Sequence, residues 1–381
     1  MLKNILMVIG TRPEAIKMAP LARKLQERRG VRLIMCSTGQ HKELLFDALS
    51  DFGLRPDFHL DVMGKRQNEA TLFSYMVEEI TSILLRVTPD IVLVHGDTLS
   101  AAAASAACFF NKVPYGHVEA GLRSFNMHSP WPEEYNRKII SVGADLHFAP
   151  TNTARENLVS EGIDGEIVFV TGNTVIDALL QTRAQIGEGN RPKLKTNWGK
   201  AVNRHSFKKV VCITAHRREN FGEKLINICE GILQLAKGHP DILFVYPVHP
   251  NPQINKIVYK RLSGFQNVVL EKPLGYVEFV ELMSATDLFL TDSGGIQEEA
   301  PALDKPVLVL RDTTERPEAL AAGCIKLVGT DPFNIIKTTE HILTNPAEYQ
   351  KMAEASCPYG DGTASVKISD ILIDWLETND N

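Results

Sequence analysis

The chain has 381 residues, of which 44% are hydrophobic and 23% are charged, and its formal net charge is −5. This composition is that of a globular protein, and the length predicts two domains that can each bury a core. The acidic balance argues against nucleic acid or an anionic membrane as a partner, because both require a concentrated basic face.

Cysteine usage and apolar run lengths indicate a reduced, cytoplasmic protein. The six cysteines are scattered without a C-x-x-C pair, which argues against zinc and disulfide sites. The N-terminal run MLKNILMVIG is only as long as one strand, and no cleavage signal follows it. No later run reaches the roughly 18 apolar residues that span a bilayer. We therefore expect no membrane partner.

The first half of the chain alternates apolar runs with segments of helical periodicity. NILMVIG precedes TRPEAIKMAPLARKLQE, whose apolar residues follow helical spacing. The alternation returns through RLIMCSTG, PDIVLVHGD, VPYGHVEAG and ADLHFAPT, and it closes with GEIVFVTGNTVIDALL. Strands buried on both faces and separated by helices predict a parallel, doubly wound α/β sheet.

A second domain of the same kind is predicted after a polar segment. Residues 183–206 are weakly periodic and are predicted to be a linker or exposed insert. The alternation restarts with KKVVCITAH and continues through DILFVYPVH, NVVLEKPL, TDLFLTDSG and PVLVLRD. The predicted boundaries are 1–170, 171–360 and a last amphipathic helix, 361–381. Two Rossmann-like domains facing a cleft would place a ligand at the carboxyl ends of both sheets.

The segment LTDSGGIQEEAP predicts a phosphate site where a strand passes into a helix. Ser293, Gly294 and Gly295 offer free backbone N–H groups and allow close approach of a ligand. Glu299 follows one turn later, where an acidic residue can accept hydrogen bonds from ribose hydroxyls. A tight turn followed by an acidic helical turn explains the same residues, and this motif alone does not decide between the two.

Cations that follow several predicted strands favour anion binding. A planar guanidinium at such a position can bind phosphate through two hydrogen bonds. Arg218 and Arg311 are interpreted as solvated surface charges. No G-x-G-x-x-G follows a strand, and neither a Walker loop nor H-E-x-x-H is present, so no nicotinamide, kinase or zinc chemistry is expected. The cations of interest are Arg12, Lys17, His216, Arg217 and Arg316.

Eight segments together resemble the non-hydrolysing UDP-N-acetylglucosamine 2-epimerases. They are GTRPEAIKMAP, VLVHGDT, GHVEAGLRS, SPWPEEYNR, HRREN, LTDSGGIQEEAP, VLVLRDTTERPEAL and PYGDGTAS, and they extend over residues 10–365. The resemblance implies the two-domain fold shared with GT-B glycosyltransferases, a homodimer, and a last helix that packs on the first domain. It also implies reversible conversion of UDP-N-acetylglucosamine to UDP-N-acetylmannosamine, for surface polysaccharide precursors, without a cofactor.

The implied reaction removes UDP and the C2 proton, leaves a bound 2-acetamidoglucal, and adds UDP back with a proton on the opposite face of C2. A C2–H bond beside no carbonyl is weakly acidic, so the step needs positioned carboxylates. Reprotonation from both faces requires two acid–base groups or one that moves, and the sequence does not assign the base. Glu134 is interpreted as a structural or neighbouring-site residue and not as the base. The catalytic positions implied by the resemblance are Asp97, Glu119, Glu133 and His216.

The resemblance also implies two groups of binding residues. Those for the substrate are Arg12, Lys17, Phe279, Ser293, Gly294, Gly295, Glu299 and Arg316. Those for a second, allosteric UDP-N-acetylglucosamine are Gln40, His41, Arg66, Gln67, Arg217 and His249.

Other functions share parts of this pattern. A GT-B glycosyltransferase would use the same UDP site but would not need three carboxylates around C2. A hydrolysing epimerase would admit water to C1 and release the free sugar. A silent UDP-sugar sensor would keep the Ser-Gly-Gly loop and dispense with the acids. An epimerase acting on another 2-acetamido UDP-sugar is chemically close to the main hypothesis.

Overall fold

The computed structural model describes residues 2–39, 42–62, 68–128, 131–187, 196–204 and 207–379. The chain forms two compact units: Met1–Gln181 together with Tyr359–Asn381, and Thr182–Pro358. Each unit is built on one parallel sheet whose strands alternate with helices. The predicted α/β class, with two doubly wound sheets, is confirmed.

The elements follow one another in strict alternation over most of the chain. The strands are β1 Lys3–Ile9, β2 Val31–Ser37, β3 Phe58–His59, β4 Ile91–His95, β5 Tyr115–Val118, β6 Leu146–Ala149, β7 Val168–Val170, β8 Lys209–Thr214, β9 Ile242–Pro247, β10 Val268–Glu271, β11 Leu288–Thr291, β12 Val307–Val309 and β13 Ile325–Leu327. The helices are α1 Arg12–Gln26, α2 Lys42–Asp51, α3 Glu69–Val87, α4 Leu99–Asn111, α5 Glu133–Gly143, α6 Asn152–Ser160, α7 Thr174–Gly187, α8 Asn197–Arg204, α9 Glu223–Gly238, α10 Pro252–Leu262, α11 Tyr276–Ala285, α12 Gly294–Glu299, α13 Pro317–Ala322, α14 Pro332–Thr344, α15 Pro346–Ala353 and α16 Ala364–Thr378.

The sheet of the first unit has the order β3-β2-β1-β4-β5-β6-β7, with every pair parallel. Ile5 of β1 pairs with Leu33 on one side and with Ile91 on the other. Strand order therefore reverses between β1 and β4, and right-handed crossovers send the following helices to opposite faces. The loops after β1 and β4 diverge at this point, which is where open α/β sheets bind ligands.

The sheet of the second unit repeats the arrangement in the order β10-β9-β8-β11-β12-β13. Phe289 of β11 pairs with Cys212 of β8 and with Val307 of β12, all in parallel register. The reversal lies between β8 and β11. The loops that follow these two strands carry His216 and Ser293, so two predicted site residues flank this switch point.

Small residues let α4 approach the sheet closely beside the first switch point. Ala101 and Ala104 are fully buried, as is Ser100 in the first turn of the helix. A β-carbon on Gly10 would lie only 2.0 Å from Oγ of Ser100. Glycine at position 10 is therefore required by packing, and the chain can turn directly from β1 into the loop that precedes α1.

The last helix completes the first unit. The buried carboxylate of Asp177 accepts hydrogen bonds from the backbone N–H groups of Ala364 at 3.2 Å and Ser365 at 2.7 Å. These groups have no partner within a helix start, so Asp177 in α7 acts as the cap of α16. Nε of Arg28 donates to Oγ of Ser369 at 2.9 Å and joins α16 to the end of α1.

The predicted linker over residues 183–206 is wrong in two places. Helix α7 continues through Gly187, and α8 occupies 197–204. Trp198 is 3% exposed, and the carboxylate of Glu271 accepts the backbone N–H groups of Asn197 at 2.7 Å and Trp198 at 3.2 Å. This helix has only eight residues and its cap lies in β10, so the residues around its start do not signal where it begins.

The division between the units also differs from the predicted boundary at residue 170. The first unit extends to Gln181 because Ile176 and Leu179 of α7 are fully buried. It resumes at Tyr359, two residues before the predicted third segment.

Within the described ranges, every helix falls short of the length or the apolar character that a membrane span requires.

Candidate active site

Glu119 directly follows β5 and holds a left-handed backbone conformation with φ of +63°. This conformation is unfavourable for a residue with a β-carbon, and such strain is found mainly at functional positions. Its Oε2 forms an ion pair with Nζ of Lys17, accepts a hydrogen bond from Nδ2 of Asn173 at 2.8 Å, and lies 3.8 Å from Nε2 of His95. Two predicted site residues, Lys17 and Glu119, are thus in direct contact.

The surroundings of Glu119 fix its charge. Burial is the largest single influence and opposes ionisation, but the charges of Lys17 and His95 and the hydrogen bonds from Lys17 and Asn173 together outweigh it, so the pKa of Glu119 is well below its ordinary range. Burial lowers the pKa of His95 to about 4. At neutral pH the pair therefore consists of a carboxylate beside a neutral imidazole.

Asp97 lies two residues after β4, at the switch point. Its carboxylate forms an ion pair with Nη2 of Arg137, and its backbone carbonyl accepts a hydrogen bond from Nδ2 of Asn136 at 2.9 Å. Burial raises the pKa of Asp97, the charge of Arg137 lowers it, and the charges of Glu119 and Glu133 raise it, with a net upward shift. Asp97 is therefore easier to protonate than an ordinary aspartate, whereas Glu119 is harder to protonate than an ordinary glutamate.

Glu133 and Glu134 begin α5 and have different surroundings. Oε2 of Glu133 is buried and has no hydrogen-bond partner within the described residues. Glu134 is fully buried, and its carboxylate accepts the backbone N–H groups of Ser124 at 2.8 Å and Phe125 at 3.2 Å. Glu134 thus holds the backbone of the loop that precedes it, whereas one carboxylate oxygen of Glu133 has no such role among the described residues.

Glu14 holds the short loop that precedes Arg12. The side chain of Glu14 accepts the backbone N–H groups of Gly10 at 3.0 Å and Thr11 at 2.7 Å, and it accepts the hydroxyl of Thr98 at 2.8 Å. Glu14 therefore joins the loop after β1 to the loop after β4. Burial raises its pKa to about 7, against these hydrogen bonds. Arg12 is the first residue of α1 and is partly buried.

A cavity of about 270 Å³ lies at the carboxyl edge of the sheet in the second unit. It is lined by residues from the loops after β8, β9, β10 and β11 and from α11 and α12. Their chemistry, two imidazoles, a phenyl ring, a hydroxyl and a carboxylate, suits an aromatic base with an attached sugar. The predicted residues that line it are His216, His249, Phe279, Ser293 and Glu299.

A buried carboxylate shapes the loop after β8. Asp292 is fully buried and accepts the backbone N–H groups of His216 at 2.9 Å and Arg217 at 2.8 Å. It also accepts Nδ2 of Asn220 at 3.0 Å. These bonds fix the backbone of His216 and Arg217 relative to the strand end that precedes Ser293.

Two guanidinium groups lie above Gly294. A β-carbon at this position would be 3.4 Å from Nη2 of Arg217 and 3.6 Å from Nη2 of Arg316. Nε of Arg316 forms an ion pair with the buried carboxylate of Glu298. This ion pair fixes the orientation of the Arg316 guanidinium. Helix α12 has only six residues, so its dipole contributes little. The two guanidinium groups are therefore the main reason that an anion would bind here.

Comparison with known proteins decides the family. The model of the family UDP-N-acetylglucosamine 2-epimerase matches residues 23–373. A UDP-N-acetylglucosamine 2-epimerase of Campylobacter jejuni is 47% identical over 375 residues, which are 98% of this chain and 98% of that protein. This chain belongs to the UDP-N-acetylglucosamine 2-epimerase family.

Solved structures agree with this membership. The UDP-GlcNAc 2-epimerase of Neisseria meningitidis, bound to UDP-GlcNAc, superposes with a TM-score of 0.87 at 47% identity and covers 97% of this chain and 100% of its own. The enzyme of Methanocaldococcus jannaschii has a TM-score of 0.82 at 32% identity, with 97% and 99% covered. The resemblance to UDP-N-acetylglucosamine 2-epimerases inferred from the sequence motifs is confirmed.

Six residues are predicted to form a second, allosteric site. Four of them lie outside the described residues: Gln40, His41, Arg66 and Gln67. The other two, Arg217 and His249, lie in the second unit beside residues predicted to bind substrate. An allosteric role for them stays a prediction.

The interpretation of Arg311 as a solvated charge is wrong. Its side chain is 6% exposed and pairs with Glu219 and, at 3.1 Å, with Glu315. It joins the loop after β8 to the loop after β12, so its role here is to hold two loops together. Arg218 is exposed, as expected.

Several residues of this site were missed by reasoning from the sequence. Arg137 and Asn173 contact Asp97 and Glu119 from 40 and 54 positions away along the chain. The only local signal was that Arg137 ends the motif SPWPEEYNR. Within the described residues, no group of three or more His, Cys, Asp or Glu side chains is arranged to hold a metal ion.

Proposed function

We propose that this chain interconverts UDP-N-acetylglucosamine and UDP-N-acetylmannosamine by inverting the configuration at C2. The proposal rests on one observation: the fold shifts the pKa values of two carboxylates, one after β4 and one after β5, in opposite directions. Asp97 is shifted towards protonation, and Glu119 is kept ionised by Lys17. Titratable groups whose surroundings separate their pKa values are typical of acid–base catalysis.

The proposed reaction needs such groups. A carboxylate takes the proton from C2 while the C1–O bond to UDP breaks with its electron pair, and the C1–C2 double bond of 2-acetamidoglucal forms. UDP then adds back to C1, and an acid delivers a proton to the other face of C2. We propose that Asp97, Glu119 and Glu133 supply the acid–base groups and that His216 assists departure of UDP. No electron is exchanged with a cofactor.

We propose that residues of the second unit bind the UDP part. The guanidinium of Arg316 above Gly294 suits a diphosphate, and the cavity beside it offers Phe279 to an aromatic base and Glu299 to ribose hydroxyls. The relative from Neisseria meningitidis, whose structure contains UDP-GlcNAc, supports this ligand class. Lys17 and Arg12 of the first unit are proposed to stabilise the developing charge of the leaving diphosphate.

Proton NMR in deuterated water tests the proposal and separates it from its alternatives. The purified chain is incubated with UDP-N-acetylglucosamine, and the sugar signals are followed. We expect deuterium at C2 and a mannosamine-configured product that retains UDP, without added nicotinamide or metal. Free N-acetylmannosamine as the main product would identify a hydrolysing epimerase. Retention of the C2 proton would contradict the proposal and leave a transferase or a sensor.

We propose further that the chain forms a homodimer through the helices α4 and α5. Phe109, Phe110 and Val142 are 63%, 79% and 80% exposed and border one apolar groove. Contiguous apolar surface of this kind is typical of a protein interface. Phe110→Glu should convert a dimer into a monomer in light scattering after gel filtration. Phe333→Glu, at another exposed aromatic side chain, is the control, and a monomeric wild type would contradict the proposal.

A further inference from the structure

Arg137, in the second turn of α5, contacts two acidic side chains at once. One guanidinium nitrogen, Nη2, forms an ion pair with Oδ2 of Asp97, and the other, Nη1, lies 3.3 Å from Oε2 of Glu134. The side chain of Arg137 is 16% exposed. A guanidinium presents its donors in a fixed plane, so two separate anchors determine its orientation.

The second anchor is itself rigid. Glu134 is fully buried, and its carboxylate accepts two backbone N–H groups and the hydroxyl of Ser124 at 3.2 Å. Those groups belong to the chain segment that follows Glu119. Arg137 therefore connects Asp97, after β4, to the segment after β5. Asn136 adds a second connection through its 2.9 Å hydrogen bond to the carbonyl of Asp97.

We propose that Arg137 is a positioning residue for the reaction, which fixes the orientation of the Asp97 carboxylate through its second contact with Glu134. This inference rests on the proposed function for its catalytic consequence. The positioning itself is a property of the folded chain, and it can be measured without turnover.

The charges around Asp97 predict what loss of Arg137 does. Burial raises the pKa of Asp97, and Arg137 is the strongest opposing influence; Glu119 and Glu133 raise the pKa, and Lys17 lowers it. Lys17 is already paired with Glu119. Without Arg137, Asp97 would face two carboxylates in a buried position with little compensation, so its pKa must rise.

Carbon-13 NMR of protein labelled at the aspartate side-chain carboxyl tests this directly. The resonance that disappears in Asp97→Asn belongs to Asp97. In Arg137→Gln we expect its titration midpoint to rise by about 1 to 3 units, the usual effect of one adjacent opposite charge. Lys138→Gln, which removes the neighbouring cation paired with Glu161, should leave the midpoint unchanged. An unchanged midpoint in Arg137→Gln would overturn the proposal.

Steady-state kinetics test the catalytic consequence. In Arg137→Gln the acid limb of kcat/KM should move to higher pH with the NMR midpoint, and kcat should fall by about 100-fold, as expected for a misplaced group. Arg137→Lys keeps the charge but not both contacts, so its midpoint should stay near that of the wild type while kcat falls. A Lys variant with wild-type kcat would contradict positioning.

The two hypotheses fail in different ways. A wild type that does not epimerise UDP-N-acetylglucosamine would contradict the proposed function, and the NMR titration would still decide the role of Arg137. A wild type that epimerises, with an Arg137→Gln variant of unchanged midpoint and unchanged pH profile, would contradict only the role of Arg137. Thermal melting of each variant shows whether the fold is retained, and Arg137→Lys serves if the Gln variant does not fold.

Discussion

The imidazole rings of His216 and His249 stack with their centroids 5.5 Å apart and their planes 12° from parallel. Burial lowers the pKa of His216, the charge of Asp292 opposes this, and His249 and Arg217 add to the lowering. The stack therefore helps to keep His216 neutral at physiological pH, in the state that can accept a hydrogen bond from a ligand or take a proton.

Replacing His249 should raise the pKa of His216. His249→Ala removes a like charge and admits water to the ring, and both changes favour the imidazolium form. The measurement is a proton NMR titration of the histidine Cε1–H signals, in which His216→Asn identifies the relevant signal. His341→Ala, at an exposed position of the same unit, is the control. An unchanged or lower pKa would show that the stack does not influence His216.

Both carboxylates after β4 and β5 should be needed for turnover. Asp97→Asn and Glu119→Gln keep the shape of each side chain and remove its acid–base function, so each should lower kcat by roughly two or more orders of magnitude. Circular dichroism should show a retained fold. Glu166→Gln, an exposed change in the same unit, should have no effect. Near-normal rates in either site variant would remove that residue from the mechanism.

A methyl group on Gly294 should weaken UDP binding without unfolding the chain. The backbone there is helical, so alanine is tolerated, but the new β-carbon would stand 3.4 Å from Nη2 of Arg217 and occupy the space beneath the guanidinium groups. Loss of one charge-assisted hydrogen bond predicts a Kd for UDP that is about 10- to 100-fold higher in calorimetry. Gly238→Ala, whose β-carbon meets nothing within 4 Å, is the control; equal affinities would place the diphosphate elsewhere.

Stability should depend on pH through Glu14. Its pKa is raised from 4.5 to about 7 in the folded chain, so the folded state binds this proton more tightly than the unfolded state does. The contribution to stability is greatest below about pH 4.5, decreases as pH rises towards 7, and is constant above that. The expected decrease is on the order of 3 kcal/mol, from about 1.4 kcal/mol per pKa unit.

Urea unfolding of the wild type and Glu14→Gln at pH 4.5 and pH 8 isolates this effect. Glutamine carries no titrating proton, so the difference in unfolding free energy between the two pH values should shrink in the variant. Asp61→Asn is a matched control at an exposed position of the same unit. An identical pH dependence in Glu14→Gln and the wild type would show that Glu14 does not carry this proton.

Sequence patterns predicted the central strands and the edge strands β7 and β10, but they missed the edge strands β3 and β13. Strands such as β4 and β8 are continuous apolar runs because neighbours and helices cover them on all sides. The edge strands β3 and β13 contain only two and three residues, and such short pairs are fixed by the strand beside them. Helix α8 was missed for a related reason, since its cap, Glu271, lies more than seventy positions away.

In the candidate site too, residues that directly follow strands could be predicted, whereas contacts between residues far apart in the chain could not. Positions such as Glu119 and Ser293 follow strands directly, so their location at a sheet edge could be predicted. Asp292 and Arg137 act through partners that are 75 and 40 positions away, and no spacing rule relates such pairs. The opposite pKa shifts of Asp97 and Glu119 likewise depend on burial and on which cation each carboxylate meets, which only the folded chain determines.

The return of the chain to its first unit has a consequence for biosynthesis. On the ribosome, Thr182–Pro358 emerges before α16, so that middle part can reach its final form while the amino-terminal part still lacks the helix that Asp177 caps. Side chains of α16 such as Ile368 and Leu372 are fully buried in the finished protein, so the surface of the first unit that they cover stays exposed until α16 has emerged. Nascent chains stalled before α16 should therefore expose apolar surface and bind chaperones, whereas released chains should not.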